Sequence, residues 1–380
     1  MGKDFIERAK LLEKIYMENT ATSTRLSKVI EIDYKKIVSM FNVLRDRYGI
    51  YIWLDILQSK LGLGLTLLLL KGLKLKPPKN PKIWEEVAIK LPYPRSIAWT
   101  PTGDVQVVFQ SPLKTDIMNV EKVDKYVMFI QKFNFVLRSK PIIELLNMFV
   151  DLNFSELLEK GLDMALENKY RVDSEYVLSP RKFDGLDLAL LNVLEPRPEI
   201  TLKGLTREVN RSLNREYSVT RIEYHIAKHV ENMILGYRVS NYAQSYRLSE
   251  AVSTVVLQCN DPVDICSRAI SHPFIVSCVG NTDKDVTAVN ICAPSEYQGS
   301  FTLRFIEKVQ SYGCIDVLAN IQYMAVPPYI TIFAVPKPRP KRIVQNADEA
   351  KIEYDPHSRS WSAVIDVKQV IDVLIDYLSI

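Results

Sequence analysis

A leucine-faced helix opens at "FDGLDLALLNVL", Phe183 to Leu194, near the middle of a 380-residue chain. An apolar entry, a short acidic turn and Leu186, Leu190, Leu191 and Leu194 on one face form the kind of start signal that begins a domain. A chain that begins again halfway along is expected to be a tandem of like units. The landmarks on either side of this point do fall in the same order.

Upstream, residues 8–50 hold three helical stretches. The first is "RAKLLEKIYMEN". In the second, "TSTRLSKVIEI", Thr22 caps and Leu26, Val29 and Ile30 face inward. In the third, "YKKIVSMFNVLRDRY", Asp33 caps and Ile37, Phe41 and Leu44 recur at helical spacing. Gly49 stops that helix, and "IYIWLDI" alternates as a strand. Downstream, "LDLALLNVLEP", "TLKGLTREVN" behind Thr201 and "SVTRIEYHIAKHVENMI" behind Ser218 repeat the three helices, and "ILGYRVS" repeats the strand. Three short helices followed by a strand is the layout of a winged helix-turn-helix, although the joint "RSLNREY" is longer than a tight turn.

Each helical unit is followed by a second pattern. After the later one, "STVVLQCN", "DPVDICSRAISHP", "FIVSCVGNTDKDVTAVNICAP", "SEYQGSFTLRFIEKVQSYG" and "CIDVLANIQYMAV" read as strand, helix, hairpin, helix and strand, a βαββαβ unit of ferredoxin-like type. After the earlier one, "LTLLLLKGLKLK", "NPKIWEEVAIKLPYP", the hairpin "SIAWTPTGDVQVVFQSP" and a helix in "NVEKVDKYVMFIQKF" are expected to repeat that order. Residues 141–180 read as a helical bridge and "VPKPRPKRI" (335–343) as a stiff basic linker. "AKIEYDPHSRSWSAVI" reads as a hairpin, and "VKQVIDVLIDYLSI" as an amphipathic helix whose apolar face packs on its own protein.

The residues "FDGLDLALLNVL" and "MILGYRV", with "LSKVIEIDYKKIV" in the first unit, resemble the DNA-binding domain of the Lrp/AsnC (feast/famine) transcription regulators. That resemblance implies an α+β chain of two winged helix-turn-helix domains (1–56 and 181–248) and two ferredoxin-like domains of RAM type (60–140 and 249–334). A helical linker (141–180) and a C-terminal extension (335–380) complete it. It further implies a sequence-specific regulator rather than an enzyme, bound to double-stranded DNA, with one chain acting as a pseudo-dimer. The alternative is an architectural DNA-binding protein without base specificity. Self-association through the RAM-like sheets follows from the same resemblance.

Charge placement agrees with that expectation. The chain's net charge is only +4, yet residues 22–50 and residues 203–228 each carry six cations against three anions. The outward faces of the third helices present Tyr34, Lys35, Lys36 and Ser39 in one unit and Ser218, Thr220, Arg221, Tyr224 and Lys228 in the other. These are the residues expected to meet phosphates and base edges. The two sets differ, so the two half-sites would be unlike.

Other chemistry is thinner. His225 and His229 stand four apart, a spacing that lets two imidazoles share a metal, but no third ligand lies near them in sequence and no metal is expected. Gly62-Leu63-Gly64 lacks the following Lys-Ser/Thr of a phosphate loop, and no cofactor is expected. The resemblance places a small-molecule effector, such as an amino acid, near the hairpin turns at Gly103 and Asp104 and at Gly280, Asp283 and Asp285. Glycine and aspartate also make such turns without a ligand. The longest apolar run, Leu61–Leu70, is too short to span a bilayer as a helix. With five cysteines and no C-x-x-C pair, buried reduced thiols and a cytoplasmic location are expected.

Overall fold

The computed structural model describes residues 3–76, 83, 86–87, 90–91, 94–178, 181, 183–240, 250–323, 352–355 and 360–379. It is a mixed α+β chain with several sheets. Helices α1 (Lys3–Ile15), α2 (Ser23–Ile30) and α3 (Tyr34–Tyr48) lead into strand β1 (Tyr51–Ile56). The caps lie where the sequence puts them: the Thr22 hydroxyl accepts from the Arg25 amide, the Asp33 carboxylate accepts from that of Lys35, and Gly49 closes α3 in the left-handed conformation. Leu26, Ile37, Phe41 and Leu44 are buried, whereas Val29, expected inward, is 54% exposed.

Strands β2 (Leu63–Leu70), β3 (Pro94–Trp99), β4 (Val105–Pro112) and β6 (Val127–Phe133) form a four-stranded sheet in the order β3-β4-β2-β6. Between β4 and β6 lies β5 (Lys114–Met118), and β7 (Phe135–Arg138) follows β6 after a single residue. Of the helix expected over 80–94, Ile83, Glu86, Val87 and Lys90 are helical, and the remainder falls largely outside the described residues. The second helix expected in "NVEKVDKYVMFIQKF" is absent: one 3-10 turn, Asp124–Tyr126, gives way to β6.

A helical bridge runs through α4 (Ile143–Val150), a short turn with a π-helical stretch, α5 (Leu162–Glu167) and α6 (Ser174–Leu178). Then come α7 (Gly185–Leu194), α8 (Leu202–Leu213), α9 (Val219–Lys228) and β8 (Ile234–Ser240). The unit β9 (Glu250–Cys259), α10 (Pro262–Ala269), β10 (Ile275–Asn281), β11 (Val286–Pro294), α11 (Ser295–Gln310) and β12 (Cys314–Tyr323) forms the second large sheet, β12-β9-β11-β10, and β7 extends its β10 edge.

The C-terminal segment supplies what the first sheet lacks. Strands β13 (Ile352–Asp355) and β14 (Ser360–Asp366) pair as the expected hairpin, and β14 runs parallel to β5. Helix α12 (Val367–Leu378), capped by Asp366, then buries Val370, Ile371, Leu374 and Leu378 against Leu68, Leu70, Val107 and Phe109 of β2 and β4. The amphipathic helix thus packs on its own chain. The basic linker at 335–343 lies outside the described residues.

The leucine run is explained by the layers. Leu68 and Leu70 face α12, while Leu65, Leu67 and Leu69 meet Val256, Val279, Val286 and Ala288 of the second sheet. A strand covered on both faces reads as a continuous apolar run. Helices α10 and α11 cover the far side of the second sheet.

The two helical units are joined directly. Strands β1 and β8 pair antiparallel, Leu54 opposite Tyr237. The Arg25 guanidinium forks onto the Glu231 carboxylate at 2.7 Å through two nitrogens. Gly236 has φ +108°, and a Cβ there would lie 1.9 Å from the Tyr16 carbonyl oxygen. Only glycine permits that approach. Beneath the ribbon, the fully buried Lys140 ammonium donates to the carbonyls of Tyr16 (3.0 Å) and Tyr237 (2.6 Å) and pairs with buried Asp55 at 3.0 Å.

The cysteines differ from expectation. Cys259 is joined to Cys314 across β9 and β12, and Cys266 to Cys278 between α10 and β10; Cys292 is buried outside both disulfides. The argument from reduced thiols to a cytoplasmic location therefore falls. Among the described residues no helix is long and apolar enough to cross a membrane.

Candidate functional site

Where the first sheet meets the β10–β11 turn, a cleft of about 430 Å³ opens. Its walls are the start of β2, the ends of β4 and β6, and the turn itself. Four hydrogen bonds fasten the turn to the other half of the chain, the longest from the Thr282 amide to the Asn134 side-chain oxygen at 3.4 Å. The Asn134 amide donates to the Gly280 carbonyl at 2.8 Å, the Asn134 carboxamide donates to the Thr282 hydroxyl at 3.0 Å, and the Asn281 carboxamide donates to the Lys132 carbonyl at 2.8 Å. The Asn281 side-chain oxygen in turn accepts from the amides of Asp283 (2.9 Å) and Lys284 (3.1 Å), which fixes the turn.

The lining is mixed. Thr66 and Ser111, both buried, share a hydrogen bond at 2.9 Å, and Phe133 and Leu178 supply apolar wall. Lys132 is half-buried, and its ammonium donates to the Thr115 carbonyl. Lys284 and Asp283 stand exposed at the rim. The volume lies in the range of small-molecule sites, about 300–1,000 Å³. Apolar walls with a few fixed polar groups and cations at the mouth suit a small organic molecule carrying a negative charge.

The residues expected at effector sites are divided by this geometry. Asp283 lines the cleft. Gly280 adjoins it, and its lack of a side chain is explained by packing: a Cβ there would lie 2.3 Å from the Phe135 ring of β7. Asp285 closes the turn at φ +53°, its carbonyl accepting from the Cys259 amide at 2.7 Å. Gly103 and Asp104 sit at the far end of β4, where Asp104 bonds Thr100 and Thr102 in a self-contained turn. The two turns are not brought together.

The residues expected to read DNA all lie on exposed helix surface: Tyr34, Lys35, Lys36 and Ser39 on α3; Ser218 capping α9 through the Arg221 amide; and Thr220, Arg221, Tyr224 and Lys228 along α9. The basic excess counted from sequence is partly consumed inside the molecule. Arg25 is held by Glu231, and Arg45 reaches Glu199 at 3.9 Å, two acids outside the counted stretches; the pairs of Arg45 with Asp46 at 2.9 Å and Arg211 with Glu208 at 3.6 Å lie within the count. Arg221 stacks over the Tyr217 ring at 5.0 Å.

One constellation was hidden from sequence. His225 and His229 converge on Asp187, which lies on α7: His225 Nδ1 is 2.8 Å from one carboxylate oxygen and His229 Nδ1 is 3.0 Å from the other. Asp187 is wholly buried, and its carboxylate also accepts from the Asp184 amide at 2.9 Å in a capping box. The only signal in the sequence was the acidic turn of "FDGLD", which marks the start of the helix and does not point to the histidines. The third ligand missing from the neighbourhood of the histidines stands 38 residues before His225.

Neither a protein-family model nor a curated protein matches the chain. Among solved structures, a crystal structure of the siroheme decarboxylase NirDL is similar at 10% identity and a TM-score of 0.43, covering 85% of this chain and 91% of that one. A second, of NirDL in co-complex with an iron-uroporphyrin III analogue, is similar at 11% identity and a TM-score of 0.41 over the same shares. At these values the likeness assigns no chemistry to this chain. These findings do correct the expectation of a non-enzymatic Lrp/AsnC transcription regulator, and of an architectural protein, partnered by double-stranded DNA. No regulator family matches, and the similar structures are of an enzyme, one with a small molecule bound. The sheet faces expected to associate between chains already cover each other within one chain.

Proposed function

We propose that this chain binds a carboxylate-bearing small molecule in the cleft between the first sheet and the β10–β11 turn. The observation that carries the reading is the fastening of that turn to Asn134 and Lys132, which holds a cation-rimmed cleft of about 430 Å³ open between the two halves. Lys284 and Lys132 would meet the carboxylate, the Thr66–Ser111 pair would meet a polar group deeper in, and Phe133 and Leu178 would take the apolar body. Asp283 at the rim selects against a second negative charge on that side.

The test is calorimetric titration of the full chain with amino acids, dicarboxylates and porphyrin carboxylates, followed by turnover assays on whatever binds. A charge-assisted hydrogen bond contributes about 1.5–3 kcal/mol, so Lys284→Ala should weaken binding roughly tenfold or more. Ser111→Ala should weaken it less. Binding unchanged in both variants, or no binding by any carboxylate, would exclude the cleft as the site.

We also read the chain as two diverged copies of one unit, each a three-helix head, its strand and a ferredoxin-like sheet, with bounds near 1–56 and 60–140 and near 181–248 and 249–334. Three features support this: the reciprocal pairing of β1 with β8, the strand orders β3-β4-β2-β6 and β10-β11-β9-β12, and α12 standing where the first copy lacks its second helix.

A further inference from the structure

A buried carboxylate needs partners, because moving it out of water unpaired costs several kcal/mol. Among the described residues the ion-pair partners of Asp187 are two histidines, not a lysine or arginine. Hydrogen bonds from the Asp184 amide and the two imidazoles can satisfy the carboxylate, and a metal cation shared by all three side chains would balance its charge outright.

The geometry favours a metal. The ligating atoms of Asp187, His225 and His229 all lie within 4.8 Å of one another. The nitrogen–oxygen separations of 2.8 and 3.0 Å are near the roughly 3.0 Å between neighbouring octahedral donors about 2.1 Å from one ion, and would open by about 0.4–0.6 Å for a tetrahedral one. Successive turns of α9 bring the two imidazoles to one side, and α7 brings the carboxylate to meet them. The Asp184 amide steadies the carboxylate from behind, as outer hydrogen bonds steady ligands in metal sites. His229 caps the C-terminal end of α9, where the helix dipole favours a cation. His225 is nearly buried, while the His229 side chain is 34% exposed and gives the ion a way in.

We infer that Asp187, His225 and His229 bind one divalent transition-metal ion of the zinc, cobalt or nickel class. The two imidazoles ligate through Nδ1 as neutral rings with their proton on Nε2, the carboxylate ligates through oxygen, and water completes the coordination shell. The ion ties α7 to α9. This site is separate from the cleft and does not depend on what the cleft binds.

Cobalt(II) is the probe, because its visible d–d absorption reports nitrogen and oxygen ligation directly. Chelator-treated full-length protein should take up one equivalent, with the spectrum displaced by zinc. His229→Gln, at a partly exposed position and with folding checked by circular dichroism, should lose affinity by at least about 100-fold, since removing a ligand costs more than removing an outer hydrogen bond. Asp187→Asn should lose it further; if that variant fails to fold, His225→Gln replaces it. Titration at pH 5.5 should weaken binding, since the imidazole protons compete with the metal. An absent d–d spectrum in the wild type, or equal affinity in wild type and His229→Gln, would overturn the assignment.

Discussion

Acidification should unfold this protein through His272, and the size of the effect follows from its surroundings. The imidazole is wholly buried between the rings of Phe301 and Phe274, with centroids at 4.6 and 5.1 Å. Its Nδ1 accepts from the Phe274 amide at 3.0 Å, so the proton sits on Nε2, which faces the Leu157 carbonyl at 3.4 Å. Protonating Nδ1 would set N–H against N–H in an apolar pocket. Burial accordingly pushes the group down from 6.5 to about 3. The unfolded chain therefore takes up the proton first. The contribution to stability is complete above about pH 6.5 and is lost as pH falls toward 3, at about 1.4 kcal/mol per pH unit and about 4–5 kcal/mol in all. The assay is guanidinium unfolding of wild type and His272→Asn at intervals from pH 7.5 to 4.5. Asparagine offers an oxygen to the Phe274 amide but does not titrate. The variant is less stable at neutral pH, yet the gap between the two should shrink by roughly 2–3 kcal/mol on going to pH 4.5. Parallel pH dependences would refute the reasoning, because carboxylates elsewhere titrate alike in both proteins.

Two further predictions rest on packing. Lys140→Met leaves Asp55 buried without a counter-charge and should cost about 3–5 kcal/mol in denaturant unfolding, with much of it recovered when Asp55→Leu is added. A single-site loss that the second change fails to relieve would count against the pair. Leu374→Ala opens a hole under the first sheet and should cost about 2–5 kcal/mol, with faster amide exchange in β2 and β4 but not in β9 and β11. Uniform loss of protection across both sheets would mean that α12 does not stabilise the first sheet locally.

Much of the architecture was legible because it is local. The caps at Asp33, Thr201 and Ser218 and the leucine face of α7 are written within a dozen residues each, and the structure places them as read. What failed depended on distant partners. The stretch through Val127–Phe133 carries apolar residues at spacings that fit a helix or a strand, and pairing with β2 decides for the strand. The vacancy that this leaves is filled by α12, which no local pattern could reveal. Disulfide pairing of Cys259 with Cys314 spans 55 residues and needs the β9–β12 register to be seen. Asp187 lies in the acidic turn at the head of α7, where its part in the capping box is local, yet its meeting with the two histidines requires α9 to be folded against α7. The basic helix faces misled in the opposite way: the count was right, but Arg25 and Arg45 also meet Glu231 and Glu199, acids that lie outside the counted stretches.

The roof of the first sheet has a consequence for how the protein is made. During synthesis, β2 and β4 emerge early, while the helix that shields Leu68, Leu70 and Phe109 emerges far downstream. Until then the nascent N-terminal half carries an open greasy surface, which makes it a client for chaperones on the ribosome and a point of vulnerability for any translation that stops short.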